Sequence, residues 1–192
     1  MIKFTKGLFT GHSPKIFSWD NPTHRVFNGE VVKGRKTKGY GTSVFEYAGK
    51  KYDPEPWTTQ LLHEKSVAEA YVNQTLGRDL KFTFCLCGLY ETGEEWIPHH
   101  SDTVPTLDDI VLSVSFGAPR LINFREYQYN VKKHTNTSDT KTPSKWVKEY
   151  NYIMEDGDAI LFDGHSQMKT THSVPPIEGS GRRISLTFRT GL

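Results

Sequence analysis

The segment Ile97-Pro98-His99-His100-Ser101-Asp102 concentrates more potential chemistry than any other stretch of this chain. His100 and Asp102 stand two residues apart, so on an extended strand both side chains leave the same face. His99 would need its carboxylate at position 101, which is Ser. It therefore points the other way and reads as structural. A His-x-Asp pair taken alone is an ordinary strand feature. A second imidazole brought from elsewhere completes a three-sided donor set, and Thr171-His172-Ser173-Val174-Pro175-Pro176 offers one. Its rival is His165; His172 is preferred because it begins an extended run and so falls at a strand end near a loop. Two imidazoles and one carboxylate with positions left open form the facial triad that suits non-haem Fe(II) and its reactions with O₂.

A second group with chemical potential is Arg183-Ile184-Ser185-Leu186-Thr187-Phe188-Arg189. Strand alternation puts Arg183, Ser185, Thr187 and Arg189 on one face and Ile184, Leu186 and Phe188 on the other. The apolar face is expected to pack between sheets. The polar face carries two guanidinium groups about 20 Å apart on a straight strand. Guanidinium is the side-chain group that grips a carboxylate with two parallel hydrogen bonds. Without the triad this would read as a solvated alternating strand; with it, the segment reads as an anchor for a dicarboxylate.

These groups need a scaffold, and the rest of the chain reads as a β-rich one. Trp57 to Leu76 is the one convincing helix: Thr58 or Thr59 caps it, Leu61, Leu62, Val67, Ala68 and Val72 form its apolar face, and Gly77 stops it. Strands are expected at Lys81–Leu89, Trp96–Ser101, Asp109–Gly117, Leu121–Tyr129 (the hairpin partner of the preceding strand), Trp146–Ile153, Ala159–Phe162 and Arg183–Phe188, with a tight turn at Asp156-Gly157-Asp158. Earlier, Arg25-Val26-Phe27 and Glu30-Val31-Val32 flank an Asn28-Gly29 turn. Val44 to Tyr47 is a strand, and Ala48 to Lys51 a turn. Residues 132–145 carry almost nothing apolar and read as a solvated loop. Many short strands with regular turn signals argue a β-sandwich or jelly roll.

Composition bounds the remaining choices. A chain of 192 residues is one domain by expectation and can bury a core without staples. Aromatic residues make up 12% of it, which favours a β-rich core. Net charge is +2, too balanced to announce a nucleic-acid binder, so any basic surface must be local. Cys85 and Cys87 are too close for an ordinary disulfide and read as reduced core thiols. The start Met1-Ile2-Lys3-Phe4 opens no signal peptide, and no apolar run is long enough to span a membrane. An intracellular soluble protein, monomeric and without a membrane partner, is expected.

The motifs together resemble the AlkB family of Fe(II)/2-oxoglutarate dioxygenases over about residues 25 to 192. Tyr40-Gly41, Tyr47-Ala48-Gly49 and Pro56-Trp57-Thr58 look like the family's opening strands and helix start. Leu112-Ser113-Val114-Ser115-Phe116-Gly117-Ala118-Pro119-Arg120 is similar to its central strand. His172-Ser173-Val174-Pro175 and Arg183 to Arg189 are similar to its closing motifs. The resemblance implies a mainly β (α+β) fold: a double-stranded β-helix, or jelly-roll, sandwich with one or two flanking helices. It implies a single domain over 1–192, with a nucleotide-recognition lid and extension over 1–55 and the jelly-roll core over 80–192.

It further implies that His100, Asp102 and His172 hold Fe(II), that Arg183 helped by Tyr90 binds the distal carboxylate of 2-oxoglutarate, and that Arg189 lies near the metal-bound end. One departure stands out. Family members often carry Asn two residues before that Tyr and two after the first Arg; here these positions are Gly88 and Ser185. The implied reaction consumes 2-oxoglutarate and O₂, yields succinate and CO₂, and demethylates N-alkylated bases of DNA or RNA with release of formaldehyde. For substrate, Phe27 in its hairpin would wedge into a base stack. Arg35 and Lys36, with Lys33 and Lys38, would hold phosphates, and Tyr40 would stack on an extruded base. Lys132, Lys133, Lys141 and Lys145 would touch a second strand. The alternatives are the same oxygenase chemistry on RNA or a protein side chain, and a non-catalytic metal-binding jelly roll.

Overall fold

The computed structural model describes residues 1–21, 25–27, 30–32, 34–47, 50–102, 108, 110–128, 145–163 and 168–191. In chain order these hold β1 (Ile2–Thr5), β2 (Arg25–Phe27), β3 (Glu30–Val32), β4 (Lys36–Gly41), β5 (Phe45–Tyr47), β6 (Lys50–Tyr52) and helix α1 (Thr59–Leu76). There follow β7 (Phe84–Tyr90), β8 (Ile97–His100), β9 (Val111–Gly117), β10 (Arg120–Glu126), β11 (Lys148–Met154), β12 (Ala159–Phe162), β13 (Thr170–Val174) and β14 (Arg183–Arg189). Six strands form one sheet in the order β1-β12-β9-β14-β7-β4, and four form another in the order β11-β10-β13-β8. The two antiparallel sheets make the expected double-stranded β-helix. β2-β3 and β5-β6 form two further two-stranded sheets; the Asn28-Gly29 turn and the Phe27 side chain lie outside the described residues.

Burial explains which strands are which. β7 and β12 are buried at every position, as strands covered on both faces must be. Between the sheets lie Tyr90, Val111, Ile122, Phe124, Met154, Ile160, Phe162 and Val174. The opposite face of the six-stranded sheet packs beneath α1, where Leu61, Ala68 and Val72 meet Cys85, Cys87, Leu112, Leu186 and Phe188. Both cysteines are free and buried. Thr58 caps the helix by accepting the Leu61 N–H at 3.1 Å, and Gly77, in left-handed conformation at φ 63°, ends it.

Several expectations are corrected. Leu62 is 49% exposed, because a neighbour of Leu61 points about 100° away around the helix. Glu64 and Glu69 are buried instead; Glu69 accepts the Phe82 N–H at 2.8 Å and pairs with Lys65 at 2.7 Å. β10 is not the hairpin partner of β9: β9 lies between β12 and β14, β10 between β11 and β13, so the Pro119 turn carries the chain from one sheet to the other. Lys50 and Lys51 belong to β6 rather than to a turn. β1 and β4 are strands of the larger sheet, so the core draws on the first 55 residues as well. The two faces of β14 are also exchanged relative to expectation. Leu186 and Phe188 face the helix, while Arg183 and Arg189, 1% and 5% exposed, belong to the interior.

Arg120, at the start of β10, is fully buried and ties this architecture to the site. Its Nη2 donates to the carbonyls of Thr92 at 2.6 Å and Glu95 at 3.2 Å, and its Nη1 to that of Pro175 at 3.2 Å. Its guanidinium lies 5.1 Å from the centre of the Tyr90 ring. Arg120→Met leaves those buried carbonyls without a donor and is expected to cost upwards of about 2 kcal/mol. Thermal melts read this as a Tm lowered by at least about 4 °C. Lys6→Ala, which breaks an exposed pair with Glu155, serves as the near-neutral comparison. Equal melting of the two variants would show that Arg120 is no tether.

Candidate metal centre

His100 ends β8, and Asp102 follows just beyond it. His172 sits in the middle of β13, not at its end, and is the direct cross-strand partner of His100. The antiparallel register therefore sets the two imidazoles side by side, ring centres 4.3 Å apart. Asp102 Oδ1 lies 3.5 Å from His100 Nε2, and Oδ2 lies 3.3 Å from His172 Nε2. One ligand atom from each of the three residues falls within 4.8 Å of the others. His165 lies outside the described residues.

The protonation pattern fits a cation. His100 Nδ1–H donates to the Pro98 carbonyl at 2.8 Å. A carbonyl only accepts, so the neutral ring carries its proton there and turns the Nε2 lone pair toward a carboxylate. Lone pair facing lone pair is the arrangement a metal ion resolves. Burial works against the Asp102 charge, yet the Arg189 guanidinium holds that carboxyl well below its usual range. Arg189 Nη2 donates to Asp102 Oδ2 at 2.8 Å. Burial, then the neighbouring His100, pushes His172 down, toward the neutral form a metal needs. Phe124 and Phe162 wall the His172 ring at centre distances of 5.4 and 5.1 Å. The donor set, two imidazoles and one carboxylate on one face, fits Fe(II).

His99 takes the opposite face, as the alternation requires. It shares hydrogen bonds with Thr171 Oγ1 at 3.0 Å and Ser173 Oγ at 3.1 Å, and so clamps β8 to β13 from behind the site. Burial, the Arg125 charge and His172 lower its pKa to about 4.

On the inner face of the larger sheet, Arg183 is the cross-strand partner of Tyr90 and Ser185 that of Gly88. The Arg183 guanidinium lies 4.9 Å from the Tyr90 ring centre, and its Nε donates to Ser115 Oγ at 2.7 Å. Its Nη1 is buried without a partner. Ser115 is a site residue the sequence hardly signals: the alternation of Ser113 and Ser115 with Leu112, Val114 and Phe116 puts it on the polar face of its strand, and only the sandwich turns that face toward Arg183. The residues expected to meet substrate fare differently. Tyr40 is 2% exposed in the core beneath α1, with no open face for a base, so that expectation is corrected. Lys36 pairs with Glu91 at 3.1 Å, and Lys38 with Glu55 at 2.6 Å and Asp20 at 3.5 Å, so these two lysines already have carboxylate partners. Arg35 turns inward over the Tyr90 ring at 5.9 Å. Lys33, Lys132, Lys133 and Lys141 lie outside the described residues.

Among known proteins, a model of the 2OG-Fe(II) oxygenase superfamily matches residues 14–189. A search of curated proteins finds no match. Among solved structures, that of OsALKBH1 is similar in fold, with a TM-score of 0.57 and 17% identity over 95% of this chain and 86% of that one. No helix among the described residues is long and apolar enough to cross a membrane.

Two predictions follow from this geometry. Calorimetric titration of metal-free protein with Mn(II) or anaerobic Fe(II) should show metal affinity lost in Asp102→Ala and His172→Ala by more than the roughly 10–100-fold that an outer-shell change costs. His99→Gln should keep it, and tight binding by either of the first two variants would overturn the ligand assignment. The second concerns acid stability. The unfolded chain protonates His99 near pH 6.5 and the folded chain only near 4, so metal-free protein should lose stability as pH falls through that window. Melts between pH 6.5 and 4 should show a shallower decline in His99→Gln; an identical slope would remove His99 from the account.

Proposed function

The chain belongs to the 2OG-Fe(II) oxygenase superfamily, and from that premise we propose that it is an oxidative demethylase of N-alkylated bases in DNA or RNA, acting as a monomer. It is an AlkB-like Fe(II)/2-oxoglutarate-dependent dioxygenase. The observation that carries the reading is the convergence of His100, Asp102 and His172 within 4.8 Å on the interior of the sandwich. Bound Fe(II), with 2-oxoglutarate and O₂, supplies oxidation of a C–H bond while 2-oxoglutarate leaves as succinate and CO₂.

The chain's own residues position and shield. His100, Asp102 and His172 would hold the iron, and Arg189 keeps the Asp102 carboxylate ionised and oriented. Arg183 and Tyr90 receive a carboxylate of 2-oxoglutarate, with Ser185 beside them. Phe124 and Phe162 exclude water from one side of His172. A methyl on a base nitrogen, once hydroxylated, is a hemiaminal that releases formaldehyde and the free base. What supports a nucleic-acid substrate is the likeness of six sequence blocks to the AlkB family and the fold shared with OsALKBH1. Phe27 and its hairpin stay the proposed contact to the base stack.

Incubation with Fe(II), 2-oxoglutarate and oligonucleotides carrying N1-methyladenine or N3-methylcytosine, as DNA and as RNA, should release formaldehyde and restore the unmodified base by mass spectrometry. Turnover of 2-oxoglutarate to succinate with no repaired base of either kind would redirect the search to a protein side chain. No turnover at all would leave a binding module.

A further inference from the structure

The inner face of the larger sheet holds a cation that the iron site does not use. Tyr90 has guanidinium groups on several sides, from Arg183 at 4.9 Å, Arg120 at 5.1 Å and Arg35 at 5.9 Å from its ring centre. Arg120 is committed to backbone carbonyls. Arg183 and Arg35 make no such bonds among the described residues, and Arg183 Nη1 and Arg35 Nε are buried without a hydrogen-bond partner, as Arg120 Nε and Arg189 Nε and Nη1 also are. Among the described residues neither makes an ion pair. Two like charges held near one another with unpaired N–H groups are unfavourable unless an anion joins them.

Residue 88 explains how Arg35 gets there. A Cβ built on Gly88 would stand 2.6 Å from Arg35 Nε, 2.9 Å from Arg35 Cδ and 2.8 Å from Ser185 Oγ. The Arg35 side chain therefore occupies the space a side chain at 88 would fill. Strand register makes this systematic. Lys36 pairs with Leu89, so Arg35 falls beside Tyr90, and Tyr90 is in turn the partner of Arg183. One row across three strands thus reads Arg35, Tyr90, Arg183.

Resting on the dioxygenase reading above, we infer that Arg35 is a binding residue for the distal carboxylate of 2-oxoglutarate, gripping it together with Arg183 in the space that Gly88 leaves open. A dianion is the ligand this charge demands, because a carboxylate between two guanidiniums satisfies both unpaired N–H groups and offsets their repulsion. The pair makes the pocket selective for 2-oxo acids with a second carboxylate. Arg35 is then unavailable for a nucleic-acid phosphate.

The test measures dissociation constants by calorimetry on anaerobic Fe(II)- or Mn(II)-loaded protein, for 2-oxoglutarate and for 2-oxobutanoate, which lacks the distal carboxylate. Arg35→Gln should weaken 2-oxoglutarate about tenfold or more, the loss expected for a charged hydrogen bond, and leave 2-oxobutanoate and the metal unchanged. Arg35→Lys should lie between. In Arg35→Ala, adding Gly88→Asn should recover part of the loss, because the amide fits the vacated space. Equal weakening for both acids would make Arg35 a mere support of Tyr90 and overturn the inference. Unchanged 2-oxoglutarate binding in Arg35→Gln and Arg35→Lys would do so too. Failure of wild type to bind 2-oxoglutarate at all would instead overturn the dioxygenase reading.

Discussion

Pairing of β8 with β13 is the constraint on which the rest of the molecule depends. It sets His100 against His172, and a slip of one residue would turn one imidazole out of the sandwich. The register is held from the other side by His99, whose ring bridges hydroxyls of Thr171 and Ser173 on β13. Adjacent histidines thus divide the labour: one faces the interior beside Asp102 and His172, the other faces outward and fastens the strand. Asp102 lies past the end of β8, where the chain is released from the pleat, and Arg189 on β14 draws its carboxylate between the rings. The site therefore joins both sheets, and neither sheet alone contains it.

The second physical theme is buried positive charge. Arg120, Arg183 and Arg189 are all at most 5% exposed, in a sandwich otherwise lined by aromatic and aliphatic groups. Each has a different means of tolerating its burial. Arg120 takes backbone carbonyls, Arg189 takes the Asp102 carboxylate, and Arg183 has Ser115 and Tyr90; each keeps at least one buried nitrogen without a partner. Arg120 spends both terminal nitrogens on carbonyls from two loops, where the chain needs a rivet.

Much of the architecture was legible. β7 and β12 are apolar runs, β9 and β14 alternate, and Thr58 and Gly77 bracket the helix; each is a local pattern whose period matches its structure. The His-x-Asp spacing selected His100 over His99 because strand alternation is a local rule. Less legible were the functions of charges. Lys36 and Lys38 look like a phosphate grip in one dimension, but Glu91, Glu55 and Asp20 neutralise them from elsewhere in the chain. Tyr40 looks like a stacking residue until the helix covers its strand.

By itself, then, the sequence determined the elements and the facing of side chains within each strand, because backbone geometry and hydrophobic period act over a few residues. It could not say which face of β14 looks inward, since both faces are buried and alternation is symmetric to exchange. Nor could it say that β9 and β10 part company into different sheets, or that Arg35 fills the gap above Gly88. Those outcomes depend on cross-strand register and on which charges meet from separate segments of the chain. Only the closed sandwich decides them, because burial and ion pairing are properties of the assembled surface rather than of any segment.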